Sequence, residues 1–213
     1  LWDDLHERWV KDRCGVSTAT LTDNTFRAKN EATCRECECT TPLVLSFDGA
    51  PISLRPDDGA ARFDLSSRQD GSAVRTDWPV QPWLALDRDG DGLISSGREL
   101  FGSATRLGGG TAQNGFQALT ALDENGDGVI DAQDPAWSRL RLWADADGDR
   151  VSSAGELRTL AQAGIESLRL DYVVDPRCDA RGNCEVERAT FRFVDAKGEA
   201  HAGALVDVHL AVR

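Results

Sequence analysis

The sequence predicts an α+β fold in which short helices pack on small antiparallel sheets. Three observations predict this class: short apolar runs punctuated by Gly and Pro, isolated stretches of helical periodicity, and a C-terminal region in which apolar and polar residues alternate. The chain has 213 residues, of which 40% are hydrophobic. A chain of this length and composition can bury a core, which argues against wholesale disorder.

The first part of the chain, residues 1–41, is predicted to be a helical, cysteine-rich lead-in. Apolar residues recur at helical spacing over residues 1–11, which predicts an amphipathic helix. The residues that follow are polar and rich in cysteine, and the composition changes at Pro42. We therefore place a boundary there and assign residues 42–213 to a second, α+β module.

Strands and short helices alternate within this second module. Strand-like apolar runs occupy residues 43–47, 52–54, 62–65, 84–86 and 140–143. Helices are predicted to begin at Glu99, to span residues 116–122, and to span residues 154–163 with Gly164 at the end. The tail, residues 165–213, alternates apolar and polar residues and is predicted to be sheet.

The charge and the hydropathy exclude two classes of partner. Lys and Arg total 24 against 36 Asp and Glu, a formal net charge of −12, so the chain repels the phosphate backbone of nucleic acids. No apolar run approaches the roughly 20 residues of a membrane-spanning helix. The chain begins at Leu1 and contains no Met, so we expect any signal peptide to lie outside it.

Six cysteines indicate disulfide bonds and an oxidising, extracytoplasmic compartment. Cys178 and Cys184 enclose a turn-rich stretch between two apolar runs, which favours a bridged hairpin over free thiols. The other four allow three pairings among themselves: Cys14, Cys34, Cys37 and Cys39. These four could instead hold zinc, but they lack the paired CxxC spacing of zinc ribbons, which favours disulfides.

Three Asp-rich loops carry the chemistry. A calcium ion takes six to eight oxygen ligands, and a 12-residue EF-hand loop supplies them from positions 1, 3, 5, 7, 9 and 12, with Gly at position 6. An apolar residue at position 8 holds two such loops together. The second loop fits this pattern best. Its predicted ligands are Asp123, Asn125, Asp127, the carbonyl of Val129 and the closing Asp134.

The first loop needs one extra residue. Its predicted ligands are Asp87, Asp89, Asp91, the carbonyl of Leu93 and Glu99. Position 12 is Arg98, a cation that cannot bind calcium, whereas Glu99 follows it directly and Gly97 can absorb the insertion. We therefore predict a loop of 13 residues that Glu99 closes.

The third loop departs from the pattern at two positions. Its predicted ligands are Asp145, Asp147, Asp149, the carbonyl of Val151 and Glu156. Arg150 replaces Gly at position 6, in a backbone conformation that is costly for a side chain. Ser152 replaces the apolar residue at position 8. We predict that this is the most irregular of the three sites.

Three copies of the motif, each with a closing acid, predict Ca²⁺ as the cofactor. One copy alone could be a simple Asx turn, but three are hard to obtain by chance. The spacing of 36 residues between Asp87 and Asp123 is typical of paired EF-hand loops. The predicted fold is therefore an α+β module built around EF-hand-like calcium loops. The three histidines show no metal-like or catalytic context in the sequence: His6, His201 and His209.

The order of several motifs resembles a known bacterial family. The motifs are Pro42-Leu43-Val44-Leu45, Phe63-Asp64-Leu65, the run from Leu86 to Gly92, the run from Gly97 to Gly102, and Gly155-Glu156-Leu157. Over about residues 40–170 the chain is similar to the EF-hand-like module attached to RTX-type secreted proteins and other surface proteins of Gram-negative bacteria. Some members, in the iron-regulated RTX group, cleave an Asp-Pro bond at their own N-terminal edge when calcium binds, and the new aspartyl end crosslinks to a lysine.

The resemblance implies a calcium-binding structural or interaction module that is extracellular or on the cell surface, the periplasm and outer membrane being alternatives. The other interpretation is a calcium-triggered self-processing module. Cleavage needs an Asp-Pro bond, and the chain offers only Asp134-Pro135 and Asp175-Pro176, within or after the module. An Asp-Pro bond immediately upstream of Leu1 would favour self-processing. We therefore predict a binding module and no enzyme, with an unidentified protein or cell-surface component as its partner.

Overall fold

The computed structural model describes residues 40–65 and 73–212. The predicted N-terminal helix lies outside this part of the chain, as do four cysteines: Cys14, Cys34, Cys37 and Cys39. The strands are β1 (Leu43–Ser46), β2 (Leu54–Arg55), β3 (Trp78–Pro79), β4 (Trp83–Leu86), β5 (Arg106–Leu107), β6 (Gly110–Thr111), β7 (Val129–Asp131), β8 (Leu140–Trp143), β9 (Leu157–Thr159), β10 (Ile165–Arg169), β11 (Val173–Cys178), β12 (Cys184–Val194) and β13 (Ala200–His209). One α-helix, α1 (Gly115–Thr120), and three 3-10 helices, Gly97–Glu99, Trp137–Arg139 and Ala161–Ala163, complete the described elements.

The fold is mostly β, so the predicted α+β class with EF-hand helices is wrong. Strand makes up 38% of the structure, and α1 is the single α-helix of the described residues. It begins after Asn114, whose side chain accepts a hydrogen bond from the Gln117 amide, and it overlaps the helix predicted at 116–122, starting one residue earlier and ending two residues earlier. Among the described helices none has the length and apolar composition needed to cross a bilayer.

Nine strands form one curled antiparallel sheet, in place of the several small sheets that the sequence predicted. The strand order is β7-β10-β12-β13-β1-β4-β8-β9, with β11 paired to β12 as a branch. Two short ribbons, β2–β3 and β5–β6, lie outside this sheet. The C-terminal region predicted to be sheet is indeed sheet, and β13 joins it to β1 at the start of the module.

Both faces of the sheet are covered by apolar side chains. Leu43 and Leu45 of β1 belong to one hydrophobic cluster, whereas Val44 between them belongs to the other. Successive side chains point to opposite faces of a strand, so a strand that is buried on both faces is apolar at nearly every position. This explains the continuous apolar runs of β1 and β4, in which every residue is buried.

Three tryptophans belong to the hydrophobic cluster that contains Val44, close to two of the acidic loops. Trp78 packs against Trp83 and Trp143, with ring centroids 4.9 and 5.5 Å apart. Trp83 lies opposite Trp143 in the β4–β8 pair, and both strands lead directly into Asp-rich loops. The indoles therefore lie close to the loops in sequence and are buried in the core that supports them.

Two predicted helices are absent because strand pairing replaces them. After Glu99 the chain is extended, since Leu100 bridges to Ala85. Within residues 154–163, Leu157–Thr159 pairs with β8 as strand β9, and only a 3-10 helix follows. A partner strand supplied by the tertiary structure overrides weak helical periodicity. Gly164 ends that 3-10 helix with a φ of 73°, as expected of a helix terminator.

The hairpin disulfide predicted from the sequence is confirmed. Cys178 and Cys184 are bonded and lie opposite each other where β11 pairs with β12. The turn between them is held by Asp179, whose carboxylate accepts hydrogen bonds from the amides of Arg181 and Asn183. The hairpin is thus closed both covalently and by an Asx-type turn.

Replacing both bridged cysteines by serine, Cys178→Ser with Cys184→Ser, is expected to lower the free energy of unfolding by about 2 kcal/mol. The short loop that the bond closes sets this size, because a disulfide acts mainly by restricting the unfolded chain and restricts it less when the loop is short. Urea denaturation of the two proteins measures the difference, with peptide mass spectrometry under non-reducing conditions to verify the bond. Equal stabilities would show that the bond contributes nothing to the fold.

Candidate metal centres in three acidic loops

The three Asp-rich loops follow regular elements of the fold but do not join pairs of helices. The first connects β4 to the 3-10 helix Gly97–Glu99, the second connects α1 to β7, and the third connects β8 to β9. Each loop therefore starts from an element anchored in the core and ends where the chain returns to it.

The first Asp of each loop accepts the same two backbone hydrogen bonds. Asp123 accepts from the amides of Gly126 and Gly128, at 2.9 and 3.0 Å. Asp87 accepts from the amides three and five residues later, and so does Asp145. In addition, the side chain at position 3 accepts from the amide at position 5, and the side chain at position 5 from the amide at position 7. The three loops are therefore wound alike.

The closing acid also holds an equivalent place in all three loops. Asp134 accepts hydrogen bonds from the amides at positions 2 and 9 of its loop, Glu124 and Asp131, at 3.1 and 3.0 Å. Glu156 does the same at positions 2 and 9 of the third loop. In the first loop the residue with these contacts is Glu99, which is 4% exposed and accepts from Arg88 and Ser95. Although the first loop is one residue longer, its closing acid therefore bonds to the same two amides as in the other loops, those at positions 2 and 9.

Gly97, just before the closing acid of the first loop, lies where another segment of the backbone comes very close. A Cβ on Gly97 would lie 2.0 Å from the carbonyl oxygen of Leu65, a distance that no side chain tolerates. Its amide also donates to the carbonyl oxygen of Asp64 at 2.7 Å. Glycine is therefore required here by contact with another segment of the backbone.

Carboxylate oxygens converge in the first and third loops. Asp87, Asp89 and Glu99 each place one oxygen within 4.8 Å of the others, and so do the equivalent acids of the third loop, Asp145, Asp147 and Glu156. In the second loop position 3 is Asn125, whose neutral amide oxygen takes the place of one carboxylate. All these donors are hard oxygens, which is the donor set that calcium and magnesium prefer.

Burial sets the electrostatics of the third loop. The pKa of Asp145 is raised by desolvation, and the negative charges of Glu156 and Asp149 raise it further, while hydrogen bonds from the Gly148 and Arg150 amides lower it. The ionised form of Asp145 is thus penalised in the folded protein. A cation held between these acids would remove that penalty.

Arg150 adopts the strained backbone that the sequence predicted. Its φ is 61°, and it is the one residue other than Gly with a positive φ among those described. The equivalent residues of the other loops are Gly92 and Gly128, with φ of 83° and 81°. Left-handed backbone costs a residue with a side chain roughly 1–2 kcal/mol, so the Arg150 side chain has to compensate elsewhere.

The Arg150 side chain ties the third loop to the core. It is 6% exposed, donates to the Thr76 carbonyl oxygen at 2.9 Å, and lies over the Trp78 ring at 4.9 Å from the centroid. Its guanidinium also pairs with Asp57 at 3.4 Å. The hairpin that carries the disulfide reaches the same region, because Arg181 pairs with the buried Asp77 at 2.5 Å.

The first loop pairs with the third, not with the second. The amide of Ile94, at position 8 of the first loop, donates to the Ser152 side chain, at position 8 of the third, at 2.6 Å. In the second loop the residue at position 8 is Ile130, which lies in β7 opposite Leu168 of β10. The 36-residue spacing between the first two loops therefore does not mark a pair of loops joined at position 8.

A further cluster of candidate ligands escaped the sequence analysis. Glu187, Asp207 and His209 are buried on β12 and β13, and each places one ligand atom within 4.8 Å of the others. The pKa of Asp207 is raised well above its ordinary value by burial and by the charge of Glu187. The available signal was an Asp and a His two residues apart on one predicted strand, which places both on one face. A similar but exposed group lies at the β12–β13 turn: Asp195, Glu199 and His201.

The fold and the loops define a class of protein, a mostly β module with three equivalent acidic loops. The profile of the SPM domain matches residues 43–211, and the chain therefore belongs to the SPM domain family. The match extends past the region near residue 170 where the sequence resemblance ended, and it includes the strands of the C-terminal region.

One relative shows the setting in which such a module occurs. Over 157 residues the chain is 38% identical to the iron-regulated protein FrpA of Neisseria meningitidis serogroup C. The aligned part is 72% of this chain and 14% of FrpA. The chain thus spans a small fraction of that relative, and the similarity concerns a module within it.

Replacing Arg150 separates backbone strain from side-chain contacts. Arg150→Ala keeps the strain and loses the bonds to Thr76 and Asp57 and the contact with Trp78, so it is expected to lower the free energy of unfolding by about 3 kcal/mol. Arg150→Gly loses the same contacts but relieves the strain, so it is expected to cost about 1 kcal/mol less. Chemical denaturation without added metal measures both. A glycine variant no more stable than the alanine variant would contradict the assigned strain.

Proposed function

We propose that this chain is a calcium-binding module of a secreted or cell-surface bacterial protein. The observation that carries the proposal is the shared hydrogen-bond arrangement of the three loops, in which the opening and closing acids occupy equivalent positions. The convergence of three acids within 4.8 Å in two of the loops supports it further.

The donor chemistry favours calcium over other divalent ions. Each loop offers carboxylate and backbone oxygens, joined in the second loop by the amide oxygen of Asn125, and no nitrogen or sulfur ligand. This donor set disfavours zinc and copper. Magnesium demands near-ideal octahedral geometry and gives up its water reluctantly, whereas calcium accepts six to eight oxygens in flexible geometry. A loop closed by the Glu99 or Glu156 carboxylate, able to bind through both oxygens, suits the larger ion.

Backbone amides prepare each loop for an ion. Both oxygens of Asp123 and both of Asp134 accept amide hydrogen bonds, so the two carboxylates are oriented before any cation is present. Calcium would then be bound with little reorganisation, and its charge would offset the mutual repulsion of the acids. Binding free energy gained in the native state alone adds directly to folding stability.

Two observations support a location of the module outside the cytoplasm: its disulfide bond and its similarity to FrpA. The Cys178–Cys184 disulfide indicates an oxidising compartment. The similarity to FrpA, an iron-regulated protein, is consistent with a module of a larger secreted or surface protein. Calcium is abundant outside cells, where weakly binding loops suffice.

The alternative function, calcium-triggered cleavage of an Asp-Pro bond, finds little support in the two such bonds of this chain. Cleavage requires the Asp carboxylate to attack its own carbonyl carbon. Both oxygens of Asp134 are held by backbone amides. Asp175 lies in strand β11, where its carboxylate pairs with Arg177 at 2.5 Å. Neither carboxylate is placed as a free nucleophile, so we favour the binding module.

Calcium at millimolar concentration is expected to raise the melting temperature by several degrees, because it binds the folded loops and relieves their repulsion. Glu99→Gln should reduce this shift, whereas Arg98→Ala, the matched control next to it, should keep or enlarge it. Thermal unfolding followed by tryptophan fluorescence, with calcium, magnesium or a chelator, measures the effect. A melting temperature that calcium leaves unchanged would refute calcium binding, and equal losses in the two variants would refute the role of Glu99.

The chain is expected to stay intact when calcium is added, since both Asp-Pro bonds lie inside elements that the folded module needs. Incubation with millimolar calcium followed by intact-mass measurement tests this. Two fragments from a cut after Asp175 would favour the enzymatic alternative, and Asp175→Asn would then have to abolish the cut.

A further inference from the structure

We propose that Glu187, Asp207 and His209 form a site, separate from the acidic loops, that binds one divalent metal ion such as zinc. The three side chains come from the two longest strands of the sheet, β12 and β13. Asp207 and His209 are two residues apart on β13 and so project from the same face.

A bulge in β12 brings the third ligand to this face. The register between β12 and β13 shifts between Glu185 and Arg188, and Glu187 lies within that shifted segment. Bulges re-aim side chains and are frequent beside functional sites. As a result, the Glu187 carboxylate lies 2.9 Å from Nε2 of His209.

The geometry suits a small ion with few ligands. All three ligand atoms lie within 4.8 Å of one another. Around zinc, with ligands at about 2.1 Å, tetrahedral neighbours are about 3.4 Å apart. Pairs of ligand atoms at the 4.8 Å limit would have to approach by up to about 1.4 Å to seat an ion, and the 2.9 Å pair would have to separate slightly. The fourth position would be open to water or to a further ligand, as in zinc sites with three protein ligands.

A buried oxygen without a partner points independently to a ligand. Asp207 is fully buried, and its Oδ1 has no hydrogen-bond partner among the described residues. Its Oδ2 accepts the Gly115 amide at 2.5 Å, which orients the carboxylate as outer-shell hydrogen bonds orient metal ligands. A buried acceptor left unpaired costs roughly 1–3 kcal/mol. A metal ion bound at Oδ1 would remove that cost.

The donor set distinguishes this cluster from the loops. It contains an imidazole nitrogen and two carboxylates, and it is nearly closed to solvent, with Glu187 and His209 each 6% exposed. Imidazole suits zinc, iron, copper and nickel, whereas calcium takes oxygen ligands in larger number. The site would therefore remain selective for a transition metal when calcium fills the loops.

The test is zinc binding by the full chain with its loops saturated with calcium and its cysteines verified as oxidised. After treatment with a chelator, zinc is added and followed by calorimetry, and metal content is measured after dialysis. One zinc ion per chain is expected. His209→Gln should weaken binding by more than about tenfold, whereas His201→Gln, at the exposed β12–β13 turn, should leave it unchanged.

A second variant, Asp207→Asn, and a second ion, cobalt, test the same ligands independently. Asp207→Asn retains an oxygen for the Gly115 amide but loses the charge, so it should also weaken zinc binding, with circular dichroism to show that the fold is kept. Cobalt added to the unaltered chain should give absorption from nitrogen and oxygen ligands without a thiolate charge-transfer band. Absence of stoichiometric zinc would overturn the proposal, as would equal affinity in His209→Gln, loss of binding in His201→Gln alone, or a thiolate band. Such a result would leave a hydrogen-bonded cluster without an ion.

Discussion

The pairing of β13 along both of its edges is the constraint on which the rest of the structure depends. This strand forms hydrogen bonds with β12 on one side and with β1 on the other. The last strand of the module thus joins the C-terminal strands to the first strand. Because side chains alternate along β13, Leu205 enters one hydrophobic cluster and Val206 the other. In the sheet, β1 is followed by β4 and then by β8. Strand β4 leads into the first acidic loop and β8 into the third.

The acidic loops differ in how firmly they are attached to this framework. The third loop is bound to the core through the buried Arg150 side chain, at the expense of a strained backbone. The first loop is attached to the third through Ile94 and Ser152, whereas the second continues into β7 at the far end of the sheet. We infer that ions in the first and third loops would influence each other more than either would influence the second.

Local patterns in the sequence located the three Asp-rich loops, whereas the fold class that we predicted from them is wrong. The contacts that shape each loop lie within the loop, because Asp side chains bond to amides two to five residues away and the closing acid bonds to an amide ten or eleven residues before it. The predicted helices failed where residues such as Leu157–Thr159 found a partner strand distant in sequence. We expected helices beside each loop by analogy with EF-hands. The segments before the first and third loops instead form strands, β4 and β8, because their apolar residues are buried on both faces of the sheet.

The sequence by itself determined the acidic loops, the extra residue before Glu99, the strain at Arg150 and the hairpin that Cys178 and Cys184 close. Each of these depends on a few neighbouring residues and on backbone conformations that only certain side chains allow. Only the tertiary structure decided that the first loop meets the third, and that Glu187 joins Asp207 and His209. These groupings depend on strand order and on a bulge in the register of β12, and a shift of one residue would turn the side chains to the opposite face.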